Sequence, residues 1–304
     1  MTKIFWAFDA FEDGLKTNIF VGETLASLNG KLKAEIHPVF CLGSDVAPVL
    51  LADTVEVMKK IGDDKMTVLL NKISIPGVYR PRVIVAPSFS QTQIVKHFIS
   101  HAEKNGADLI AVGSHGRKGV NRAMLGSFAE TLLLQSHLPV LVVGQNFDQI
   151  PRWDETLFPT DFSDDSSYAF HNALRLAKTL NAKVTLFHHL SPIVDPIIQS
   201  TIAPFGGVWV SYRDGMKYLQ EKKQESLDEW AKIAESQGIQ VKTYLDTETT
   251  DTSEAILSYA NKNNIGLIAT GAQSGTLATT LFGAITRKVV RQAQCPVWVL
   301  RRHS

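Results

Sequence analysis

The chain has 304 residues, 44% of them hydrophobic and 20% charged, and its 31 Lys and Arg nearly balance 30 Asp and Glu for a net charge of +1. Its length suggests two units of about 150 residues; residues 1–146 hold 15 basic and 13 acidic side chains and the rest 16 and 17, so neither half has the cationic excess of a nucleic-acid binder. Two cysteines, Cys41 and Cys295, one per half and each in an apolar run, argue against a disulfide framework or a multi-thiol metal site and read as buried thiols.

From the amino terminus, "KIFWAF" reads as a strand and runs into Asp9, Glu12 and Asp13 rather than into a cleavage site. No window approaches the ~18 apolar residues of a membrane span, so the expected address is the cytoplasm. A helix ending near Gly30, the strand "EIHPVFCL", the helix "ADTVEVMKKIGDDKMTVLLNK" and the strand "RVIVA" follow. Then come the helix "TQIVKHFISHAEKNG", the strand "DLIAV", a glycine-bearing loop, the helix "SFAETLLLQS" and the strand "PVLVVG". "QNFDQIPRWD" (145–154) reads as a join.

Beyond the join the order recurs: "ETLFPT", a helix over "YAFHNALRLAKTLNA", "KVTLFHHL", a charged helix ending at Gly238, "IQVKTYL", "SEAILSYANKNN", "IGLIAT", a second glycine loop, a helix from about 283 to 293, and "PVWVLR". "IFWAFDAF" aligns with "TLFPTDFS", matching Asp9 to Asp161, and "LPVLVVG" aligns with "CPVWVLR", matching Pro139 to Pro296. One supersecondary unit is thus written twice. Alternating strands and helices imply α/β units with parallel sheets, right-handed crossovers and helices on both faces.

The loop "VGSHGRKGVNRAMLGSFAE" (112–130) leaves the carboxyl end of a strand, where open parallel sheets bind ligands. Gly113, Gly116 and Gly126 allow close backbone approach, and the helix opening at Gly126-Ser127 offers unpaired N–H groups and a positive dipole end. Ser127 adds a hydroxyl, and Arg117, Lys118 and Arg122 add charge, a combination suited to a polyanion. Taken alone, the same glycines could equally serve only to shape a turn and start a helix.

The spacing of Gly113, Gly116, Gly126 and Ser127 resembles the nucleotide loop of the universal stress protein family: Gly, two residues, Gly, nine residues, Gly, then Ser or Thr. "FPTDFSDDSSYAF", "PVLVV" and "PVWVL" resemble its first and last strands, so the likeness covers nearly the whole chain twice, as domains 1–146 and 152–304. The resemblance implies two tandem five-stranded parallel sheets of the adenine nucleotide alpha-hydrolase-like, Rossmann-like class. It further implies ATP with Mg2+ held between the glycine loop and the carboxyl ends of the first two strands. By position, Asp9 would meet the adenine or ribose side, the backbone at Val112 and Gly113 the ribose, and Gly116, Gly126, Ser127 and Phe128 the phosphates; Val39 and Cys41 are alternatives for the base-facing position. The resemblance also implies pairing of the two domains through their last strands, with a homodimer of chains compatible with it.

The copies differ. "GAQSGTLATTLFGAIT" keeps Gly271 and Gly283 one residue closer together than Gly113 and Gly126, with Ser274 in place of the second glycine, Ala284 in place of Ser127, and no Lys or Arg between. Weak or absent nucleotide binding is expected there. In the first copy Phe8 stands where the family favours a small polar residue, and reads as core. The long connection 191–215, rich in Ile, Val, Phe205, Trp209 and Tyr212, reads as a segment packed over the sheet or on a partner, or as the wall of an apolar ligand site. His188 and His189, adjacent on a strand, point to opposite faces and cannot chelate one ion, and His115 has no second His or Cys within ligand spacing.

No nucleophile elbow, Walker loop, dinucleotide fingerprint or zincin motif occurs, and Glu130 reads as a surface residue, so no catalytic set is found and an enzyme is not expected. The reading is an ATP-binding stress-response protein; the alternative is a pseudo-dimeric scaffold that holds no nucleotide.

Overall fold

The computed structural model describes residues 1–10, 15–43, 52–88, 90–114, 125–144, 150–192, 212–272 and 283–301. In the first half, β1 (Lys3–Ala7), α1 (Leu15–Leu32), β2 (Glu35–Gly43), α2 (Ala52–Lys72) and β3 (Arg82–Ala86) lead to α3 (Gln91–Lys104), β4 (Leu109–Gly113), α4 (Ser127–Gln135) and β5 (Val140–Val143). In the second, β6 (Glu155–Pro159), α5 (Asp164–Leu180), β7 (Lys183–His189), α6 (Tyr212–Ser236) and β8 (Val241–Asp246) lead to α7 (Thr252–Lys262), β9 (Leu267–Gly271), α8 (Ala284–Gln292) and β10 (Val297–Leu300).

The two expected five-stranded parallel sheets are present as the halves of one ten-stranded sheet, ordered β3-β2-β1-β4-β5-β10-β9-β6-β7-β8. Pairs within each half are parallel, whereas β5 and β10 run antiparallel with Leu141 opposite Trp298. Backbone bonds fix the equivalences between halves. Phe8 N–H donates to Val39 O as Thr160 N–H does to Phe187 O, and Ser114 N–H donates to Val143 O as Ala272 N–H does to Leu300 O.

Helices cover both faces, so β4, β5, β9 and β10 are continuous apolar runs rather than alternating ones. On one face α1, α2, α5 and α6 bury Val21, Leu25, Met66, Phe170 and Leu227 against Trp6, Leu141, Phe158 and Trp298. On the other, α3, α4, α7 and α8 bury Phe98, Leu132, Ile256 and Val289 against Phe5, Val112, Phe187 and Val299. Each layer runs through both halves.

Three boundaries differ from the sequence expectation. The helix expected from Tyr168 starts at Asp164: its polar first turn carries no apolar periodicity, but Ser163 caps it by accepting from Ser166 N–H at 3.2 Å. The helix α6 already begins at Tyr212, inside the long connection, of which residues 193–211 lie outside the described residues. Cys295 lies in the turn ahead of β10 rather than in a strand, and burial pushes both its thiol and that of Cys41 up to about 12. Among the described residues no helix is long and apolar enough to cross a membrane.

Candidate functional site

At the carboxyl ends of β1 and β4, Trp6 and Phe8 project to the α1 face, their rings 5.1 Å apart, and Phe8 is core as its alternation suggests. Asp9 follows, half-buried and pinned through its backbone by Asn18 of α1, which accepts from Asp9 N–H at 3.3 Å and donates to Asp9 O at 2.5 Å. Asn18, whose hold on the Asp9 backbone sequence reasoning missed, is buried in the first turn of α1. Of the two base-facing candidates, Val39 is 2% exposed and opposite Ala7, while Cys41 lies two residues nearer the carboxyl end, half-buried, its thiol donating to Ile94 O at 3.5 Å.

Val112 and Gly113 end β4. A Cβ on Gly113 would overlap the Thr17 Cγ2 of α1, so the glycine accommodates that side chain with or without a ligand. Ser114 O then accepts from Gly126 N–H at 2.7 Å, closing the mouth of the loop, and Gly126 O accepts the first helical bond from Glu130. Gly126 has φ −62° and ψ 144° and gives α4 no side-chain cap. Among the described residues the N–H groups of Ser127, Phe128 and Ala129 therefore have no acceptor, whereas α5 and α7 are capped by Ser163 and Asp251. Ser127 is exposed, and the Phe128 ring packs edge-on against Phe98 at 5.7 Å, leaving only its amide for a ligand. Gly116, Arg117, Lys118, Arg122 and His115 lie outside the described residues.

Glu130 is no free surface residue. Its Oε1 lies 3.4 Å from Arg287 Nε and 3.4 Å from Arg291 Nη2, both on α8 of the other half.

The second half keeps the frame and changes its contents. Gly283 N–H donates to Ala272 O at 3.2 Å and α8 starts as α4 does, but the connection is one residue shorter and Ala284 supplies no hydroxyl; Ser274 lies outside the described residues. Asp161, the counterpart of Asp9, accepts from Ser163 N–H at 3.0 Å and Ser163 Oγ–H at 2.6 Å, so its carboxylate is engaged in the turn into α5. His188 Nδ1–H donates to Thr160 O at 2.7 Å, while His189 is within 2.8 Å of Thr252 Oγ1 and 2.7 Å of Thr249 O.

His188 couples this corner to pH. Burial holds its pKa below the ordinary 6.5, aided by Lys223 and His189 and opposed by the bond to Thr160 and by Asp161. The folded state binds the proton less readily than the unfolded chain, so the stabilisation is complete above pH 6.5 and is lost as pH falls below it. Melting temperature should therefore fall more steeply between pH 7 and 5 in the wild type than in His188→Gln; parallel curves would refute the assignment.

Comparison with known proteins now decides the family. The model of the "Universal stress protein family" matches residues 93–144 and 153–301. The chain belongs to the universal stress protein family. Universal stress protein MJ0531 of Methanocaldococcus jannaschii is 30% identical over 153 residues, 49% of this chain and 83% of that protein. Stress response protein NhaX of Bacillus subtilis is 25% identical over 165 residues, 49% of this chain and 98% of its own. Each of these relatives thus matches about half of this universal stress protein. A crystal structure of a universal stress protein from Archaeoglobus fulgidus matches 99% of the chain and 96% of its own with a TM-score of 0.64, and at 19% identity it bears on the fold alone.

Proposed function

We propose that this universal stress protein consists of two family domains, 1–146 and 152–304, and that the first binds an adenine nucleotide, ATP with Mg2+, as a stabilising or regulatory ligand. The observation that carries the reading is the start of α4: three amides without acceptors among the described residues and a glycine without a side chain, at the carboxyl end of a parallel sheet. Ser127 and the Ser127 and Phe128 amides would hold phosphate oxygens together with Gly116 and Gly126, while Asp9 and the Val112–Gly113 backbone would meet the nucleoside. Among the described residues no three His, Cys, Asp or Glu side chains cluster, so the metal would arrive on the phosphates. Glu130, the carboxylate in the first turn of α4, is engaged by two arginines, which supports a binder rather than an enzyme.

Gly126→Val tests this reading because φ −62° and ψ 144° are open to valine, so the added side chain brings no dihedral strain of its own and stands where the phosphates would approach. Purified wild type, once denatured, should release adenine nucleotide and should melt several degrees higher with Mg-ATP; Gly126→Val should lose both effects. Absence of both effects in the wild type would favour the scaffold that binds no nucleotide. In that case the β5–β10 junction is the feature on which function would rest.

A further inference from the structure

Beside β1 and β2, just ahead of β3, lies a cavity of about 540 Å³ that runs from Lys3 at the amino end of β1 past Phe5 and His37 to Val39 and Arg82, which are in register with Ala7, and is flanked by His101 from the last turn of α3. A ladder of flat rings crosses it. Phe5 stacks on His37 at 5.0 Å and His37 on Tyr79 at 4.4 Å, and the outer ring, Tyr79, is 48% exposed. The neighbouring Glu35 carboxylate raises the Tyr79 phenol pKa.

The charges around the ladder do not cancel. Arg80 and Arg82 line the cavity, and among the described residues neither has a carboxylate within ion-pair distance. The His101 imidazole is pushed below its usual range by burial and by the charges of Arg82 and His97, the mark of a locally positive potential. Of the carboxylates here, Glu35 lies 3.4 Å from His37 Nε2, and Asp63 lines the cavity with a buried Oδ1 that has no hydrogen-bond partner among the described residues.

The equivalent corner of the second half is filled. Strand register places Tyr244 where Arg82 stands and Phe187 where Val39 stands, and the matching turns after α3 and α7 place Tyr259 where His101 stands. Those three aromatic rings pack on one another, with centroids 4.4 to 5.7 Å apart, and fill the space with apolar surface. The first half has replaced that plug with a small apolar residue, an arginine and an imidazole around a void.

We propose that this cavity is a second ligand site, distinct from the glycine loop, for a planar anion that also carries an N–H donor and is about the size of a mononucleotide. The Tyr79–His37–Phe5 ladder offers a face for stacking, Arg80 and Arg82 meet the anion, and Asp63 accepts from the donor. The cavity volume falls in the range of small-molecule sites.

The probe is AMP, titrated by calorimetry into the full-length protein without metal. Wild type and Gly126→Val should bind it alike at this site. The variant carrying Arg80→Ala with Arg82→Ala should bind at least tenfold more weakly, Tyr79→Ala should also lose affinity, and inorganic phosphate should bind at least tenfold more weakly than AMP because it cannot stack. The substituted side chains are exposed, and unchanged melting temperatures would verify that the fold is intact. No AMP binding at millimolar concentration, affinity unaltered by removal of both arginines, or phosphate binding equal to that of AMP would each overturn the proposal. Loss of binding in Gly126→Val alone would assign AMP to the loop and overturn it as well.

Discussion

Gly266→Ala should unfold at a temperature lower by on the order of 5 °C, a loss of roughly 2–3 kcal/mol, the upper range for overpacking a close contact. Gly266 precedes β9, and a Cβ there would overlap the Arg152 carbonyl of the segment entering β6. The obstacle is backbone, which cannot rotate aside. That segment is anchored one residue later: Trp153 is 5% exposed, and its Nε1–H donates to Ser27 Oγ of α1 at 2.9 Å. A methyl group at 266 therefore displaces the strand, the anchored connection, or both. The duplication explains the site. The residue before β4 in the first half is Asp108, whose carboxylate accepts from Lys3 N–H at 2.8 Å; the second half has a connecting chain to accommodate and uses glycine. Gly30→Ala is the control, since a Cβ there meets nothing within 4 Å and the position is in a helix, so it should be neutral or stabilising by up to about 1 kcal/mol. Equal melting temperatures for Gly266→Ala and wild type would show that the connection yields at no cost.

Which parts of this were legible in the sequence depends on the range of the interaction. Strand and helix order was readable because runs such as Leu109–Gly113 and Val297–Leu300 are apolar throughout, and helices such as α3 repeat Val95, Phe98, Ile99 and Ala102 at helical spacing. The glycine pattern pointed to the end of β4 and the start of α4, and the backbone bond from Gly126 to Ser114 brings those ends together. The reasons for individual residues were less visible. A side chain on Gly113 would meet Thr17 of α1, and nothing in "VGSHG" announces a helix from a hundred residues earlier. Asp9 and Asp161 align in sequence, yet Asn18 fixes the backbone of the first while Ser163 occupies the carboxylate of the second. Glu130 appeared solvent-facing because its partners lie more than 150 positions away on α8.

Replacing Glu130 by Arg should destabilise the chain by about 2 kcal/mol, and the reversed set Glu130→Arg with Arg287→Glu and Arg291→Glu should recover most of that loss. The symmetry of the halves sets this expectation. Glu130 and Arg287 are equivalent positions, each donating its N–H to the glycine that opens its helix, Gly126 or Gly283. The Leu141–Trp298 pair is likewise one position facing its own equivalent across the antiparallel junction. Two copies of the first half paired in this way would set Glu130 against Glu130, and two copies of the second would set Arg287 against Arg287 and Trp298 against Trp298. The sequence thus makes a mixed pair favourable and either like pair unfavourable, a preference that a homodimer of either half could not build. Side-chain exposures of 29% for Glu130, 34% for Arg287 and 29% for Arg291 screen the attraction, so loss of the pair alone amounts to about 1 kcal/mol and reversal, which adds repulsion, to about twice that. Thermal melts across the wild type, Glu130→Arg and the full reversal measure the coupling, with salt expected to shrink the differences. A full reversal no more stable than Glu130→Arg would mean that packing at β5–β10 sets the pairing and charge does not. Sedimentation adds a second readout, since chains carrying Gln at all three positions lose the discrimination and should exchange halves to form dimers at high concentration.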